Sequence, residues 1–211
     1  MPETNPGAGA AEGTVAPARD VTPAVAVVPV RMGTGIGVWL RDLIISLAIS
    51  AFIIIFLYQP VKVEGTSMAP LLSDQERIFI NKFVYRFEPI GRGDVVVFWY
   101  PLDRSKSFIK RVVGLPGETI EIRAGRLYVN GVELAEPYVP ANYLDQSKYP
   151  PLVIPPDEYF VMGDHRDSSN DSRVFGPVPR QYIYGKAVFA YWPVDHFGSL
   201  ASTSTVNAAS K

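Results

Sequence analysis

Cysteine is absent from the 211 residues of this chain, and histidine occurs only twice. The lack of cysteine excludes disulfides, cysteine-ligated zinc sites and a thiol nucleophile. The two histidines lie far apart and do not form an H-E-x-x-H motif, which argues against a metal hydrolase. A net charge of -1 gives no electrostatic reason to expect a nucleic-acid partner. We therefore expect neither a metal nor another cofactor.

The composition favours one β-rich domain with tails. The chain contains 19 prolines and 11 tyrosines together with many Val and Ile residues. Alternating apolar patterns begin near Val61, and Asn130-Gly131 is typical of a type I′ hairpin turn. The pattern predicts strands at Val61–Glu64, Arg77–Lys82, Val95–Tyr100, Phe108–Val113, Thr119–Arg123, Arg126–Asn130, Tyr159–Met162 and Tyr184–Tyr191. Residues 136–156, rich in Pro and Tyr, are interpreted as a long loop or small extension.

One long apolar run precedes this β-rich region. Residues 43–61 carry no charge and, with Val38, Trp39 and Leu40, are long enough to cross a bilayer. We predict an uncleaved transmembrane anchor at 38–60, in preference to a buried core helix or a cleavable signal peptide. Arginines before the run and basic residues after it are balanced, so charge alone does not give the orientation.

The anchor divides the chain into four predicted parts. Residues 1–37 lack a periodic apolar face and are predicted to form a disordered tail. Residues 61–195 form the β-rich domain, and the small, polar residues 196–211 are predicted to be a flexible C-terminal tail.

Ser67 is the first candidate catalytic residue. It lies in Gly65-Thr66-Ser67-Met68-Ala69-Pro70, a turn bounded by glycine and proline. A nucleophile on such a turn can present its oxygen while its own amide stabilises an oxyanion. A serine in a turn is also very common without any catalytic role.

Lys110 is the second such residue. It lies in the strand-like run Phe108-Ile109-Lys110-Arg111-Val112-Val113, where alternation puts Phe108, Lys110 and Val112 on one face. A buried, neutral lysine can act as a general base for serine. This requires a pKa about three units below the usual value of about 10.4. The alternative is an edge strand that uses charge against aggregation.

A polar loop, Gly163 to Arg173, provides the third group of candidates. Its hydroxyls could orient the Lys110 amine, and His165 could instead form a triad with Ser67 and an aspartate. The simplest alternative is a solvated loop held by Asp–Arg pairs.

Together these segments resemble the bacterial type I signal peptidases, membrane-bound Ser-Lys proteases. The similarity covers the chain from the anchor to about Pro193 and includes four segments in the family's order. They are Gly65–Pro70, Arg92–Phe98, Lys110–Glu118 and Gly163–Arg173.

This resemblance implies a role for each candidate residue. Ser67 is expected to be the nucleophile, its backbone amide an oxyanion donor, and Lys110 the general base. Ser169 is expected to orient the lysine amine, while Asp171 and Arg173 form an ion pair that supports the loop.

The resemblance also implies the setting of the reaction. The fold is expected to be mainly β, a coiled antiparallel β-sheet catalytic domain preceded by one transmembrane helix. The expected activity is cleavage of signal peptides from exported preproteins after small residues, typically Ala-x-Ala. The expected location is the bacterial cytoplasmic membrane, single-pass, with the N-terminal tail in the cytoplasm and the catalytic domain outside. A membrane lipid surface is a further expected partner, and the sequence does not indicate an oligomeric state.

The sequence departs from the family at three positions. Leu71 follows Pro70 where threonine is usual, and His165 replaces a common asparagine. Gly65 stands where some members carry a serine that assists the oxyanion hole, which leaves a second oxyanion donor unassigned. The remaining alternatives are another Ser-Lys processing protease and a membrane-anchored β-rich binding module without catalysis.

Overall fold

A computed structural model describes residues 35–200 of the chain. The predicted tails therefore lie largely outside the described residues. Helix α1 spans Ile36–Leu57, and its segment Ile36–Ile53 is long and apolar enough to cross a membrane. The anchor was predicted to continue to Pro60, but Tyr58–Lys62 forms strand β1 instead. Proline has no amide hydrogen to donate inside a helix, so an extended conformation suits Pro60 better.

The larger of two sheets holds most of the β-domain. Its strands are β1, β2 (Arg77–Asn81), β3 (Val95–Tyr100), β4 (Asp103–Gly114), β9 (Glu158–Met162), β10 (Val178–Pro179), β11 (Ile183–Trp192) and β12 (Gly198–Ser199). The order is β1-β2-β11-β3-β4-β9-β10, with β12 also pairing with β11. Each of these pairings is antiparallel, and β4 lies between β3 and β9 in the interior. The predicted mainly β, antiparallel fold is confirmed.

The smaller sheet contains four strands, with β5 at Thr119–Arg123, β6 at Arg126–Val129, β7 at Val132–Glu133 and β8 at Tyr149–Val153. Its order is β7-β6-β5-β8. Asn130 and Gly131 have φ of 51° and 80°, as the predicted type I′ turn between β6 and β7 requires.

Strand β8 lies inside residues 136–156, for which the Pro- and Tyr-rich sequence predicts a loop or small extension. Pro150 and Pro151 hide the strand pattern because proline cannot donate to a ladder. An edge strand tolerates them, and β8 is at the edge of its sheet.

The start of the predicted C-terminal tail is also ordered. β12 pairs with β11, and the Leu200 amide donates to the Val188 carbonyl. Leu200 is buried in a core cluster that includes Met68 and Leu72. The expectation of a flexible segment from residue 196 is therefore wrong for these residues, because an apolar side chain anchors them.

The same core cluster positions the turn that carries Ser67. Met68 is 2% exposed and Leu72 is fully buried, and both pack with Ile78 and Val95 of the large sheet. The Ala69 amide donates to the Thr66 carbonyl, and the Leu72 amide donates to the Met68 carbonyl. Burying the residues on one side of the turn fixes the direction in which Ser67 points. We call residues 65–70 the nucleophile turn.

Candidate active site

Ser67 and Lys110 meet although 43 residues separate them in the sequence. Lys110 lies on β4 opposite Val96 of β3 and is only 4% exposed. Its Nζ donates a hydrogen bond of 2.6 Å to Ser67 Oγ. The interior position of β4 excludes the alternative of an edge strand with an exposed lysine.

Burial changes the protonation of Lys110. It lowers the pKa of the amine to about 8, because the charged form loses hydration. The carboxylates of Asp171 and Asp164 oppose this change, whereas the positive charge of Arg173 adds to it. About a tenth of Lys110 is therefore neutral at pH 7 and about half at pH 8, far more than for a solvated lysine. In that form its nitrogen has a lone pair that can accept the Ser67 proton.

Arg111 points to the opposite face of β4 and is also buried, with 2% exposure. Its Nε and Nη2 donate to the two oxygens of Asp164 at 2.8 and 2.6 Å. Nη1 donates to the Gly93 carbonyl at 3.0 Å, and the guanidinium lies over the ring of Tyr138. The pair fastens β4 to the loop that begins at Gly163. Both residues lie in segments that resemble the family, but no pattern in the sequence indicates their contact.

Asp171 and Arg173 stabilise the loop after β9. Arg173 Nε lies 2.8 Å from Asp171 Oδ1, and the Gly163 amide donates to Asp171 Oδ2 at 3.0 Å. Asp171 also caps the short helix α2, Ser172–Phe175. Burial tends to raise the pKa of Asp171, but the hydrogen bonds and charge of Arg173 outweigh it and leave the pKa below its ordinary value. Asp171 is thus a carboxylate near neutral pH.

Ser169 occupies a crowded position beside the nucleophile turn. A side chain on Gly163 would collide with Ser169 Oγ and with the Ser67 carbonyl oxygen, so only glycine allows this approach. Ser169 Oγ is buried and forms no hydrogen bond within residues 35–200, although it lies close enough to Asp171 to help lower the pKa of that carboxyl. The expected hydrogen bond to Lys110 is accordingly not formed in this arrangement.

His165 does not complete a triad with Ser67. Its Nδ1 lies 3.2 Å from the Thr66 carbonyl oxygen, and its Nε2 lies 3.0 Å from Asp167 Oδ1. The side-chain partner of Ser67 Oγ is Lys110. The geometry therefore favours the dyad over the triad that sequence spacing left open.

Two acidic residues outside the four sequence segments also support the loop. Glu136 accepts two hydrogen bonds from Arg166, at 2.5 and 2.6 Å, and Asp145 forms an ion pair with Arg173. Both acids precede β8 in the stretch without clear periodicity, so no sequence pattern indicated their partners. We call residues 136–147 the bracing segment.

A groove of about 310 Å³ runs past the dyad. Its wall is mainly apolar, and its lining includes Ser67, Lys110, Val61, Val63, Met68, Val97, Phe108, Ile109 and Asn170. Among the described residues, no group of His, Asp and Glu is arranged to hold a metal ion. The groove can accept an extended peptide with small apolar side chains next to the serine hydroxyl.

The backbone around Ser67 limits which amides can bind an oxyanion. The Gly65 amide donates to Asp74 Oδ1 at 2.8 Å and is already engaged. Within residues 35–200, no protein group accepts a hydrogen bond from the Ser67 amide. That amide is therefore available to a ligand.

Comparison with known proteins gives one consistent result. The family model for signal peptidase, peptidase S26, matches residues 36–192. The chain is 39% identical over 169 residues to signal peptidase I of Leptolyngbya laminosa, covering 75% of this chain and 79% of the relative. It is 40% identical over 165 residues to signal peptidase I of Bacillus amyloliquefaciens, covering 74% and 84%.

A crystal structure of a signal peptidase I from Enterococcus faecalis V583 shares 35% sequence identity with this chain. It matches with a TM-score of 0.42 and covers 47% of this chain and 97% of the solved one. The family match and the relatives at 39–40% identity extend over most of the described chain. The chain therefore belongs to the signal peptidase family, peptidase S26, the serine endopeptidases that remove signal peptides from exported preproteins.

Proposed function

We propose that Ser67 is the nucleophile of this signal peptidase and Lys110 its general base. The observation that carries this assignment is the hydrogen bond of 2.6 Å between Lys110 Nζ and Ser67 Oγ, made by a lysine that is 4% exposed. A solvated lysine is protonated at neutral pH and cannot take a proton. Burial of Lys110 supplies the required neutral amine.

The reaction follows from this geometry. Neutral Lys110 takes the proton of Ser67 Oγ while the oxygen attacks the carbonyl carbon of the peptide bond to be cleaved. The ammonium then gives the proton to the leaving amine, and an ester between Ser67 and the signal peptide remains. Lys110, neutral again, takes a proton from water, which attacks the ester carbonyl carbon. The ammonium then returns the proton to Ser67 Oγ as the bond to the signal peptide breaks, and the signal peptide is released.

The oxyanion formed in both steps requires a nearby donor. We assign this role to the Ser67 amide, which is free of protein acceptors among the described residues, whereas the Gly65 amide is occupied by Asp74. Ser169 is assigned the orientation of the Lys110 amine when substrate is bound. Its buried, unpaired hydroxyl and its position beside Gly163 and Ser67 support that role.

The groove supports cleavage after small residues of the Ala-x-Ala type. Its apolar side chains, which include Val63, Met68 and Ile109, line the space beside the dyad. Small apolar side chains of a bound peptide can pack against this lining, as the resemblance implies.

We further propose the membrane arrangement that the resemblance implies. Helix α1 serves as the single anchor, the N-terminal tail lies in the cytoplasm, and the catalytic domain (61–195) lies outside the cytoplasmic membrane. Trp99 is 42% exposed and its ring packs at a tilt against Tyr184, which lines the groove, so this aromatic pair is proposed to touch the lipid surface.

The lipid contact has a direct test. With Trp39 and Trp192 changed to Phe, brominated lipids in proteoliposomes should quench the fluorescence of Trp99. Fluorescence that the brominated lipids leave unchanged would remove the lipid surface from the proposal.

Variants of the dyad test the catalytic assignment. In a preprotein cleavage assay, Ser67→Ala and Lys110→Ala should each lower kcat by several orders of magnitude, roughly 10⁴-fold or more. Lys106→Ala is the matched control, because Lys106 is an exposed lysine on the same strand. Full activity in either dyad variant would contradict the assignment, as would an active Lys110→His variant.

A further inference from the structure

His165 contacts the nucleophile turn at two points. Its backbone amide donates to the Ser67 carbonyl oxygen at 3.2 Å, and its ring Nδ1 lies 3.2 Å from the Thr66 carbonyl oxygen. On its other side, ring Nε2 lies 3.0 Å from Asp167 Oδ1. The ring also packs on Tyr143, with centroids 4.1 Å apart. One side chain thus joins the loop after β9 to the turn that presents Ser67.

The two partners of the ring are both hydrogen-bond acceptors. A carbonyl oxygen and a carboxylate can only accept, so each requires an N–H from the imidazole. A neutral imidazole has one N–H, whereas the protonated ring has two. Only the charged ring can therefore satisfy Thr66 and Asp167 together.

The neutral ring must choose between these partners. A charged acceptor forms the stronger hydrogen bond, so the single N–H is directed to Asp167. The lone pair of Nδ1 then faces the Thr66 carbonyl oxygen, and the side-chain bond to the nucleophile turn is lost. The backbone bond to Ser67 does not depend on this proton.

Among the described residues, few charged or titratable groups face the His165 ring. Asp167, on the same loop, is its charged neighbour, and Tyr143, from the short 3₁₀ turn Ala141–Tyr143, presents a titratable phenol. The nucleophile turn presents the Thr66 and Ser67 carbonyl oxygens. The His165 side chain is 19% exposed, so protons from solvent reach it.

We propose that His165 is a positioning residue for Ser67, and that its side-chain bond to the nucleophile turn exists only while the ring is protonated. This rests on the proposed function in that Ser67 is taken as the nucleophile. The bond is therefore present in the charged ring and is lost in the neutral ring, whereas Lys110 is active in its neutral form.

Asparagine is the informative substitution. Its amide nitrogen is bonded to Cγ, as Nδ1 of histidine is, so the side chain introduced by His165→Asn can donate to Thr66 from the same place at every pH. Alanine removes the bond at every pH. Asp167→Asn removes the competing carboxylate and should let a neutral His165 direct its N–H to Thr66. His196→Asn is the matched control, since His196 lies near Glu76 and away from the dyad.

The first test is the pH dependence of kcat/KM for cleavage of a preprotein by the full chain in detergent. At pH 5.5 the kcat/KM of the wild type should equal that of His165→Asn and exceed that of His165→Ala by about fivefold to tenfold, the effect of one hydrogen bond. At pH 8.5 the kcat/KM of the wild type should fall to that of His165→Ala. The kcat/KM of His165→Asn and Asp167→Asn should remain above that of His165→Ala at this pH. His196→Asn should follow the wild type throughout. A wild-type to His165→Asn ratio that does not change with pH would overturn the proposal.

A second test does not depend on catalysis. With ¹³C in the Thr66 carbonyl, its NMR shift should titrate with the His165 ring in the wild type and in Ser67→Ala, and should stop titrating in His165→Asn. If the ¹³C shift of the Thr66 carbonyl does not change with pH in Ser67→Ala, the positioning role of His165 is wrong, while the catalytic assignment is unaffected. Full cleavage by Ser67→Ala would instead overturn the catalytic assignment.

Discussion

Lys110 is unusual because an amine is buried beside a hydroxyl instead of a carboxylate. Its side chain is 4% exposed, and its hydrogen-bond partner is the uncharged Ser67 Oγ. The nearby carboxylate of Asp171 is committed to Arg173 and to the Gly163 amide. Desolvation therefore dominates the protonation of Lys110, and the amine is neutral at a pH where most lysines are charged.

The pH dependence of cleavage should report this deprotonation. Burial lowers the pKa of Lys110 to about 8, so the active neutral form is lost as the pH falls below that value. The His165→Asn variant removes the imidazole, so the effect of Lys110 can be measured by itself. In this variant kcat/KM should rise about tenfold per pH unit below pH 7 and level off above about 8. An inflection above pH 10 would show that Lys110 behaves as a solvated lysine.

At the scale of elements, the bracing segment connects the smaller sheet to the active-site loop. Asp145 holds Arg173, Glu136 holds Arg166, and the ring of Tyr138 lies under Arg111. Arg173 also donates to the Arg166 carbonyl at 2.7 Å, so the two arginines form one network. The loop that approaches Ser67 and Lys110 is therefore supported from residues that sequence motifs did not indicate.

Removal of one of these acids should weaken both stability and activity. Asp145→Asn takes the charged partner from an arginine that is 10% exposed, and should cost about 1–3 kcal/mol in the free energy of unfolding. A lower kcat is expected as well, because Arg173 positions Asp171 and the Gly163 amide. Thermal unfolding in detergent and cleavage kinetics measure the two effects.

Asp103→Asn is the control for that experiment. Asp103 forms an exposed pair with Lys106, and such pairs contribute little to stability. If Asp145→Asn unfolded at the same temperature as Asp103→Asn and cleaved as fast, the bracing role would be wrong.

Prediction from sequence succeeded where local patterns determine the structure. The strands Val95–Tyr100 and Thr119–Arg123 have the predicted bounds, because β-branched and aromatic residues favour a pleated, buried surface. β8 was missed, since its prolines lack donors and only the edge of a sheet accommodates them. β12 was missed because two small residues carry no pattern, and the burial of Leu200 is a tertiary effect.

In the candidate site, too, local sequence patterns predicted some residues, while others depend on tertiary packing. Ser67 and Lys110 stood out locally, one on a glycine-bounded turn and the other as a charge in an apolar strand. The buried pair of Arg111 and Asp164 did not, because charged residues usually remain in water and sequence does not reveal which of them meet in the interior. Ion pairs between distant segments depend on the packing of the sheets, which local periodicity does not encode.

At the scale of the whole molecule, the proposed orientation decides which compartment contains the dyad. Helix α1 has the length and composition of a single span, but basic residues are balanced on the two sides of the uncharged run at residues 43–61. The orientation therefore rests on family resemblance and needs an independent measurement. The absence of cysteine from these 211 residues makes that measurement simple, since one introduced thiol is then the single maleimide target within them.

Lys106→Cys should place such a thiol outside the cytoplasmic membrane. Lys106 is 66% exposed on β4, and its loss removes only a surface ion pair with Asp103, so folding and cleavage should be retained. A membrane-impermeant maleimide should label this variant on intact cells. The matched variant Ala10→Cys, in the N-terminal tail, should be labelled only after the membrane is permeabilised. The reverse pattern would place the catalytic domain in the cytoplasm, where exported preproteins have not yet presented their cleavage sites.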